Sequence, residues 1–243
     1  MPQRRVRPAL RPPAPVFRRD AVDRRLLAWI SASAAFAMLL GLAGLDRPLA
    51  QAVHASGLAH ATLFERGLAA LDTVAGMHVW YWLAGSVALA VGVTGLAWRR
   101  HARWPLAFLA AGLVQVATLH TMIAGKNAFG RLRPADLFAS GDWSQPLWFV
   151  GGGSFPSGHG AFYFGLLLPL AAACPVRWLR WLLVGLCLFV FAARLDLERH
   201  FLSDLAASAL IAALYCLLLD VVVRNVREWQ ARRERPVETG VGD

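Results

Sequence analysis

The sequence predicts an all-α, polytopic membrane protein with six transmembrane helices. Hydrophobic residues make up 57% of its 243 residues, whereas a soluble domain has roughly 45–50%. They are concentrated in six runs separated by short polar segments, and the longest runs reach the ~20 residues that cross a bilayer as a helix. The net charge is +10. The basic residues form short clusters between the runs and no basic face interleaved with aromatic residues, so a nucleic-acid partner is not expected.

The amino-terminal part combines a basic tail with the first apolar run. Residues 1–25 are rich in Arg and Pro and are expected to form a disordered cytoplasmic tail. The first run, Leu26–Leu45, would span about 30 Å as a helix. A cleavable signal peptide is the alternative, because Ala50-Gln51-Ala52 has the small-x-small form of a cleavage site. The run is longer than the roughly 7–15 residues of a signal core, which favours an uncleaved membrane anchor.

The rest of the chain alternates less apolar segments with further runs. Asp46–Gly76 carries charged residues and histidines, and it predicts an amphipathic segment at the membrane surface between helices 1 and 2. The remaining five runs are His78–Trp98, Trp104–Ala124, Gly160–Cys174, Trp181–Ala193 and Phe201–Val223. The six-helix domain is therefore expected at residues 26–223. A charged cytoplasmic tail, helical at its start, follows at residues 224–243.

The distribution of basic residues predicts how the chain is oriented. Six crossings place both termini on one side of the membrane. Eighteen of the 25 Lys and Arg residues lie on that side and seven on the other. Because positive residues are concentrated in cytoplasmic segments, both termini are predicted to be cytoplasmic. The Lys126–Gly153 segment and the Arg194–His200 turn are then expected to face outward.

Three polar segments are predicted to meet that outer surface at the ends of successive runs. Each signal is weak alone, since a serine before a helix is usually a cap and a basic residue at a membrane boundary is usually an anchor. Their joint occurrence on one side of the membrane indicates a functional site. The candidate residues, in chain order, are Lys126, Arg133, Ser157, Gly158, His159, Arg194, His200 and Asp204.

These residue types suit phosphoryl chemistry. Arginine pairs bidentately with phosphate oxygens and lysine adds a point charge, and free N–H groups at a helix N-terminus can cradle an anion. His200 and Asp204 are four residues apart and would share a helix face. The carboxylate can then hold the imidazole tautomer while the other ring nitrogen attacks phosphorus. His159, on a separate segment, can protonate the leaving oxygen.

Metal-dependent hydrolysis is the rival chemistry. It needs clustered carboxylates or closely spaced histidines, but the acidic residues of the outward segments are scattered, at Asp136, Asp142, Asp196 and Glu198. The grouped cations can take over the electrostatic role of a metal, so neither a metal nor a cofactor is expected. The three cysteines, Cys174, Cys187 and Cys216, lack metal-ligand spacing and are predicted to be buried thiols.

The motifs resemble the type 2 phosphatidic acid phosphatase (PAP2) superfamily. The matching pattern runs from Lys126 to Asp204 and reads Lys-x6-Arg-Pro, then Pro-Ser-Gly-His, then Arg-x5-His-x3-Asp. The superfamily includes bacterial lipid A phosphatases, undecaprenyl pyrophosphate phosphatases and phosphatidylglycerophosphate phosphatases. The resemblance implies a PAP2-type bundle with the following roles: His200 as the nucleophile that forms a phosphohistidine, Asp204 as its orienting group, His159 as the general acid, and Lys126, Arg133, Ser157, Gly158 and Arg194 as phosphate-binding residues. The chain departs from the family pattern at Ala193, where the family usually has a serine.

The resemblance implies a metal-independent phosphatase of a phosphomonoester or pyrophosphate lipid. Its active site would face the periplasm from the bacterial cytoplasmic membrane, and its partners would be the bilayer and the phosphorylated lipid. One alternative is a lipid phosphotransferase that uses a polyprenyl pyrophosphate donor. A non-enzymatic lipid-binding or transport protein is disfavoured because the runs lack mid-membrane carboxylates or paired charges, and the six runs exclude a soluble haloperoxidase relative. The sequence leaves the identity of the lipid and the oligomeric state open.

Overall fold

The described part of the chain is helical in the computed structural model, which describes residues 22–56, 60–99 and 102–233. No β-strand occurs within those ranges. The elements are α1 (Arg24–Leu40), a π-helical turn (Gly41–Leu45), α2 (Asp46–Ala55), α3 (Thr62–Val74), α4 (Leu83–Trp98), α5 (Trp104–Phe129), α6 (Pro134–Ser140), α7 (Gly158–Ala173), α8 (Arg177–Asp196) and α9 (Leu202–Arg233). Most of the predicted amino-terminal tail, and residues 234–243 of the carboxy-terminal tail, lie outside the described residues.

Four stretches are long and apolar enough to cross a membrane. They are Arg24–Ala55, Trp104–Ser140, Arg177–Asp196 and Leu202–Arg233, and they indicate a membrane-embedded protein. Helices α4 and α7 coincide with two further predicted runs and are apolar, but each has only 16 residues. Six crossings therefore stay a prediction.

The first predicted run ends in a kink. Gly44 has a φ of +127°, a conformation that glycine adopts readily, and the chain turns there from α1 into α2. The Asp46–Gly76 segment, predicted to lie at the membrane surface, contains α2 and α3. Its placement at the membrane surface stays a prediction. However, two of its charged residues, Asp46 and Asp72, are buried in the protein.

Helix α5 is longer than its apolar run. The run ends at Ala124, but α5 continues to Phe129 and ends where Gly130 adopts a left-handed φ of +48°. Lys126 therefore lies in the last turn of a helix, where the sequence predicted the beginning of an irregular segment. The short helix α6 forms within that segment.

Two clusters of buried residues hold the bundle together. One joins α1, α5, α7, α8 and α9 through residues such as Leu27, Leu168 and Ala212. The other joins α3, α5, α7 and α8 through residues such as Leu119 and Val190. Helix α4 packs on α5 through glycines, because a Cβ on Gly112 would lie 2.8 Å from the carbonyl oxygen of Gly85. Close approach through small residues is typical of helix pairs in membranes.

Candidate active site

Three chain segments meet at one end of the bundle: the end of α5, the beginning of α7, and the junction of α8 with α9. The glycine-rich segment before α7 lies along the chain that follows α5. Leu132 donates its N–H to the carbonyl of Leu147 (2.9 Å), and Ser154 donates to the carbonyl of Arg131 (2.9 Å). These main-chain bonds connect the first and second sequence motifs. The third motif joins them because Ser157 donates its N–H to the carbonyl of Asp204 (3.1 Å).

The imidazole of His200 is held by a main-chain oxygen. Its Nδ1 lies 2.9 Å from the carbonyl oxygen of Ser154, and because a carbonyl can only accept, Nδ1 carries the proton and Nε2 keeps its lone pair. The Asp204 carboxylate is farther away, 3.6 Å from Nδ1, which is longer than a hydrogen bond. Burial lowers the pKa of His200 to about 4, although the nearby Asp204 carboxylate acts in the opposite direction.

Asp204 is fully buried, and its charge is balanced by an arginine that was not among the candidates selected from the sequence. Arg131 Nη1 lies 2.5 Å from Asp204 Oδ1, and Arg131 Nη2 lies 2.6 Å from Asp46 Oδ2. Asp204 Oδ2 accepts from the Ser154 hydroxyl (2.5 Å) and from the N–H of Phe201 (2.8 Å). The carboxylate therefore holds two residues that contact His200. One is Ser154, whose carbonyl accepts from Nδ1, and the other is Phe201, the next residue in the chain.

Arg131 is 1% exposed, and its surroundings are those of a structural residue. Its guanidinium lies between the rings of Trp148 and Phe201, at 4.3 and 4.4 Å from their centroids. It also donates to the Ser203 hydroxyl (2.6 Å). A buried charge is tolerated only when it is paired and hydrogen-bonded. The positive charge of Arg131 is thus neutralised within the protein, unlike that of Arg133 two residues later.

Lys126, Arg133 and Arg194 form a group of cations that are not paired with any carboxylate of the described residues. Lys126 is close enough to the other two to experience their charge, and none of the three forms an ion pair within the described part of the chain. Nε of Arg194 is buried and has no hydrogen-bond partner among the described residues. Likewise, no three His, Cys, Asp or Glu side chains among the described residues are placed to hold a metal ion. The arrangement is suited to binding an anion such as phosphate.

The N-terminus of α7 lies beside these cations. A Cβ on Gly158 would lie 3.8 Å from Lys126 Nζ and 2.8 Å from the Tyr81 hydroxyl, so glycine leaves this space open. Ser157 is the N-cap, as expected: its Oγ accepts from the N–H of Gly160 (3.2 Å). Ser157 is fully buried. Its N–H donates to the carbonyl of Asp204 and its own carbonyl accepts from the Ser208 hydroxyl, so its N–H, carbonyl and Oγ all have partners inside the protein. The first-turn N–H groups of Gly158 and His159 are the ones left for an anion.

His159 is paired with a carboxylate from α3 that was likewise not among the selected candidates. Its Nε2 lies 3.1 Å from Asp72 Oδ2, and the Tyr163 hydroxyl donates to Asp72 Oδ1 (2.8 Å). Burial acts to raise the pKa of Asp72, but the hydrogen bond and charge of His159 outweigh it, and the net pKa lies below its ordinary value. Asp72 lies four residues after Leu68, and both side chains are buried on the same face of α3. Only the docking of α3 shows that this face is the inward one.

The family comparison covers the segments that form this site. The model described as the PAP2 superfamily matches residues 104–228, just over half of the 243-residue chain. The match includes all eight residues selected from the sequence, from Lys126 to Asp204. Neither a curated protein nor a solved structure matches the chain significantly. On the strength of the family match, the chain belongs to the PAP2 superfamily.

Proposed function

We propose that the protein is a metal-independent lipid-phosphate phosphatase that hydrolyses a phosphomonoester or pyrophosphate of a membrane lipid through a phosphohistidine intermediate. Membership of the superfamily indicates a phosphatase acting on phosphate esters, and the four apolar stretches indicate a bilayer setting. The observation that carries the mechanism is the bond from His200 Nδ1 to the Ser154 carbonyl. It leaves Nε2 as an unprotonated nucleophile in the same group of segments as Lys126, Arg133 and Arg194, the three cations without an ion pair among the described residues.

The cations bind the phosphoryl group and stabilise the charge that develops on it. Lys126, Arg133 and Arg194 are assigned to the phosphoryl oxygens, together with the N–H groups of Gly158 and His159. Ser157 contributes by capping α7 and so holding those N–H groups in place. Preorganised donors of this kind act most strongly in a site that excludes water.

The reaction proceeds in two displacements. The lone pair of His200 Nε2 attacks phosphorus, the bond from phosphorus to the lipid oxygen breaks, and protonated His159 gives its proton to that oxygen. Neutral His159 then takes a proton from water, and the resulting hydroxide attacks the phosphohistidine. Phosphate leaves, and His200 and His159 return to their initial states.

Two carboxylates act through the histidines. Asp204 positions His200 by fixing Ser154 and Phe201 and by placing a negative charge 3.6 Å from Nδ1. Asp72 does the equivalent for His159: it accepts from Nε2 and stabilises the protonated ring that serves as the acid. Both are positioning residues, since neither contacts the reacting phosphorus in this scheme.

The proposed location is the bacterial cytoplasmic membrane, with both termini in the cytoplasm and the site facing the periplasm. The support is the excess of basic residues on the terminal side. Ser144 is exposed in the segment between α6 and α7, so a Ser144→Cys variant without the three native cysteines should react with a membrane-impermeant thiol reagent added to spheroplasts. If Ser144→Cys is labelled only after permeabilisation, the site faces the cytoplasm and the proposed orientation is wrong.

Phosphate release from the detergent-solubilised protein tests the function. The substrates are lipid A, undecaprenyl pyrophosphate, phosphatidate and phosphatidylglycerophosphate, assayed with and without a chelator. We expect wild type to release phosphate from at least one of them regardless of the chelator, and His200→Ala to be inactive. Turnover by His200→Ala at the wild-type rate would refute the nucleophile, and loss of wild-type activity with the chelator would refute the metal-independent mechanism.

A further inference from the structure

An amphipathic hollow lies at the end of the bundle opposite the candidate active site. Helix α5 begins there at Trp104, whereas α7 and α9 begin at the active-site end and run toward it. The inner part is an apolar groove of about 220 Å³. Its lining includes Leu106, Ala110 and Val114 of α5, Pro169 of α7, and Cys216 and Leu219 of α9.

The groove continues into a second hollow that is polar. This outer hollow has a volume of about 360 Å³, and it shares Val22, Arg103, Ala172 and Ala173 with the groove. The other charged residues that line it are Asp23, Arg24, Arg25 and Arg180. Four arginines therefore face a single carboxylate in the outer hollow, and Asp220 and Arg227 line the end of the groove.

Ion pairing within the protein leaves part of this positive charge unbalanced. Asp23 pairs with Arg180 (2.5 Å), and Arg24 pairs with Asp220 of α9 (2.7 Å). Arg25 and Arg103 are exposed and form no ion pair with another described residue. An anionic group in the outer hollow would complement these two arginines.

The same end of the bundle carries a belt of tryptophans. Trp98, Trp104, Trp178 and Trp181 lie at the ends of α4, α5 and α8 and are exposed. Tryptophan is enriched where a membrane protein passes through the headgroup layer. The belt places the outer hollow at headgroup level and the apolar groove at the level of the acyl chains.

We propose that this hollow binds an anionic phospholipid, with an acyl chain in the apolar groove and the phosphodiester headgroup on Arg25 and Arg103. The site lies in the leaflet opposite the candidate active site and is independent of the proposed hydrolysis. The tail at residues 1–21, which directly precedes Val22 in the sequence, is the alternative occupant. It is itself strongly basic, so the charge of the hollow favours an anionic lipid over this tail.

Native mass spectrometry of the full-length protein in detergent tests the proposal. The probes are phosphatidylglycerol and phosphatidylcholine with identical acyl chains. We expect one phosphatidylglycerol to bind more tightly than phosphatidylcholine by about 25-fold, about five-fold for each of the two arginines. The double variant Arg25→Ala/Arg103→Ala should weaken phosphatidylglycerol binding by roughly 25-fold, since one arginine near an anionic lipid contributes about five-fold, and it should leave phosphatidylcholine binding unchanged.

Further variants distinguish binding in this hollow from non-specific attraction of anionic lipid to surface arginines. Ala110→Phe fills the groove and should weaken the binding of both lipids. Arg99→Ala removes an exposed arginine at the same end that does not line either hollow, and Lys126→Ala alters the opposite end, so both should bind phosphatidylglycerol as wild type does. Equal affinity for the two lipids, or an Arg99→Ala effect as large as that of the double variant, would overturn the proposal. The absence of phosphatidylglycerol binding to the wild-type chain would also overturn it and leave residues 1–21 as the alternative occupant.

Discussion

A single main-chain oxygen determines which nitrogen of His200 can react. The Ser154 carbonyl accepts from Nδ1, so Nε2 is the unprotonated nitrogen whether or not the Asp204 carboxylate moves closer on substrate binding. Asp204 reinforces this tautomer from a distance of 3.6 Å. The four-residue spacing of His200 and Asp204 predicted their proximity. It did not predict the carbonyl, which lies 46 residues away along the chain.

The low pKa of His200 predicts activity that persists into acid. A histidine whose pKa lies near 4, below the ordinary 6.5, remains neutral and nucleophilic as the pH falls through 6.5. Because kcat/KM reports the ionisation of the free enzyme, its acidic limb, once corrected for the ionisation of the phosphate ester itself, should be centred near pH 4. The measurement is kcat/KM for a soluble phosphate ester against pH, with gel filtration at each pH to confirm that the protein is folded. An acidic limb centred near 6.5 would contradict the described burial of His200.

Asp72 should matter most when the leaving group is poor. In Asp72→Asn the carboxylate that stabilises protonated His159 is lost, so we expect kcat to fall by about 10- to 100-fold on a lipid phosphate. The basic limb of the pH profile should also move to lower pH. With p-nitrophenyl phosphate, whose leaving group needs little protonation, the loss should be several-fold at most.

The matched control for Asp72 is Glu65→Gln, because Glu65 is an exposed carboxylate on the same helix. It should behave as wild type with both substrates. Equal losses of kcat on the two substrates in Asp72→Asn would show that Asp72 has a general structural role and does not assist the acid.

At the scale of elements, two arginines with different roles follow α5. Arg131 is structural, and Arg133 is proposed to bind phosphate. Arg131 points into the protein, whereas Arg133, two residues on, forms no ion pair with another described residue. Arg133 can be selected from the sequence because the family motif contains it. Arg131 cannot, because an arginine pairs with two carboxylates only if the fold brings them together, and Asp46 and Asp204 lie 85 and 73 residues away.

Substituting the two arginines should therefore have opposite consequences. Arg131→Ala leaves two carboxylates unpaired in the interior and should cost about 3–5 kcal/mol of stability, measured as a large fall in Tm. Arg133→Ala should keep the wild-type Tm and lower kcat/KM by roughly 100-fold. If Arg133→Ala unfolds and Arg131→Ala is stable but inactive, the two roles have been assigned the wrong way round.

The glycine-rich segment before α7 predicts a second contrast between neighbours. A Cβ on Gly152 would overlap the main-chain carbonyl of Arg131, which cannot rotate away, whereas a Cβ on Gly153 would meet no such atom within 4 Å. Gly152→Ala should cost about 1–3 kcal/mol and displace Ser154, which holds His200. Gly153→Ala should match wild type in Tm and in kcat. Similar behaviour of the two variants would mean that the segment does not pack closely against the chain after α5.

At the scale of the whole molecule, the sequence predicted the parts of the site that follow one another along the chain. The helical class and four of the six runs follow from long apolar stretches, and the candidate residues follow from three local motifs. Asp46 and Asp72 were missed because both come from the segment predicted to lie at the membrane surface, where charged residues need no partner. Their burial depends on the docking of α2 and α3 against the bundle, and no local spacing encodes that contact.

The central claim is that the convergence of these segments makes His200 Nε2 the nucleophile. The most direct measurement is to phosphorylate the protein with a ³²P-labelled substrate, quench rapidly in alkali, and identify the labelled residue and nitrogen. We predict a phosphohistidine at His200 with phosphorus on Nε2, because Nδ1 is bonded to the Ser154 carbonyl. Label on His200 Nδ1 or on His159, or turnover without any phosphohistidine, would contradict this claim.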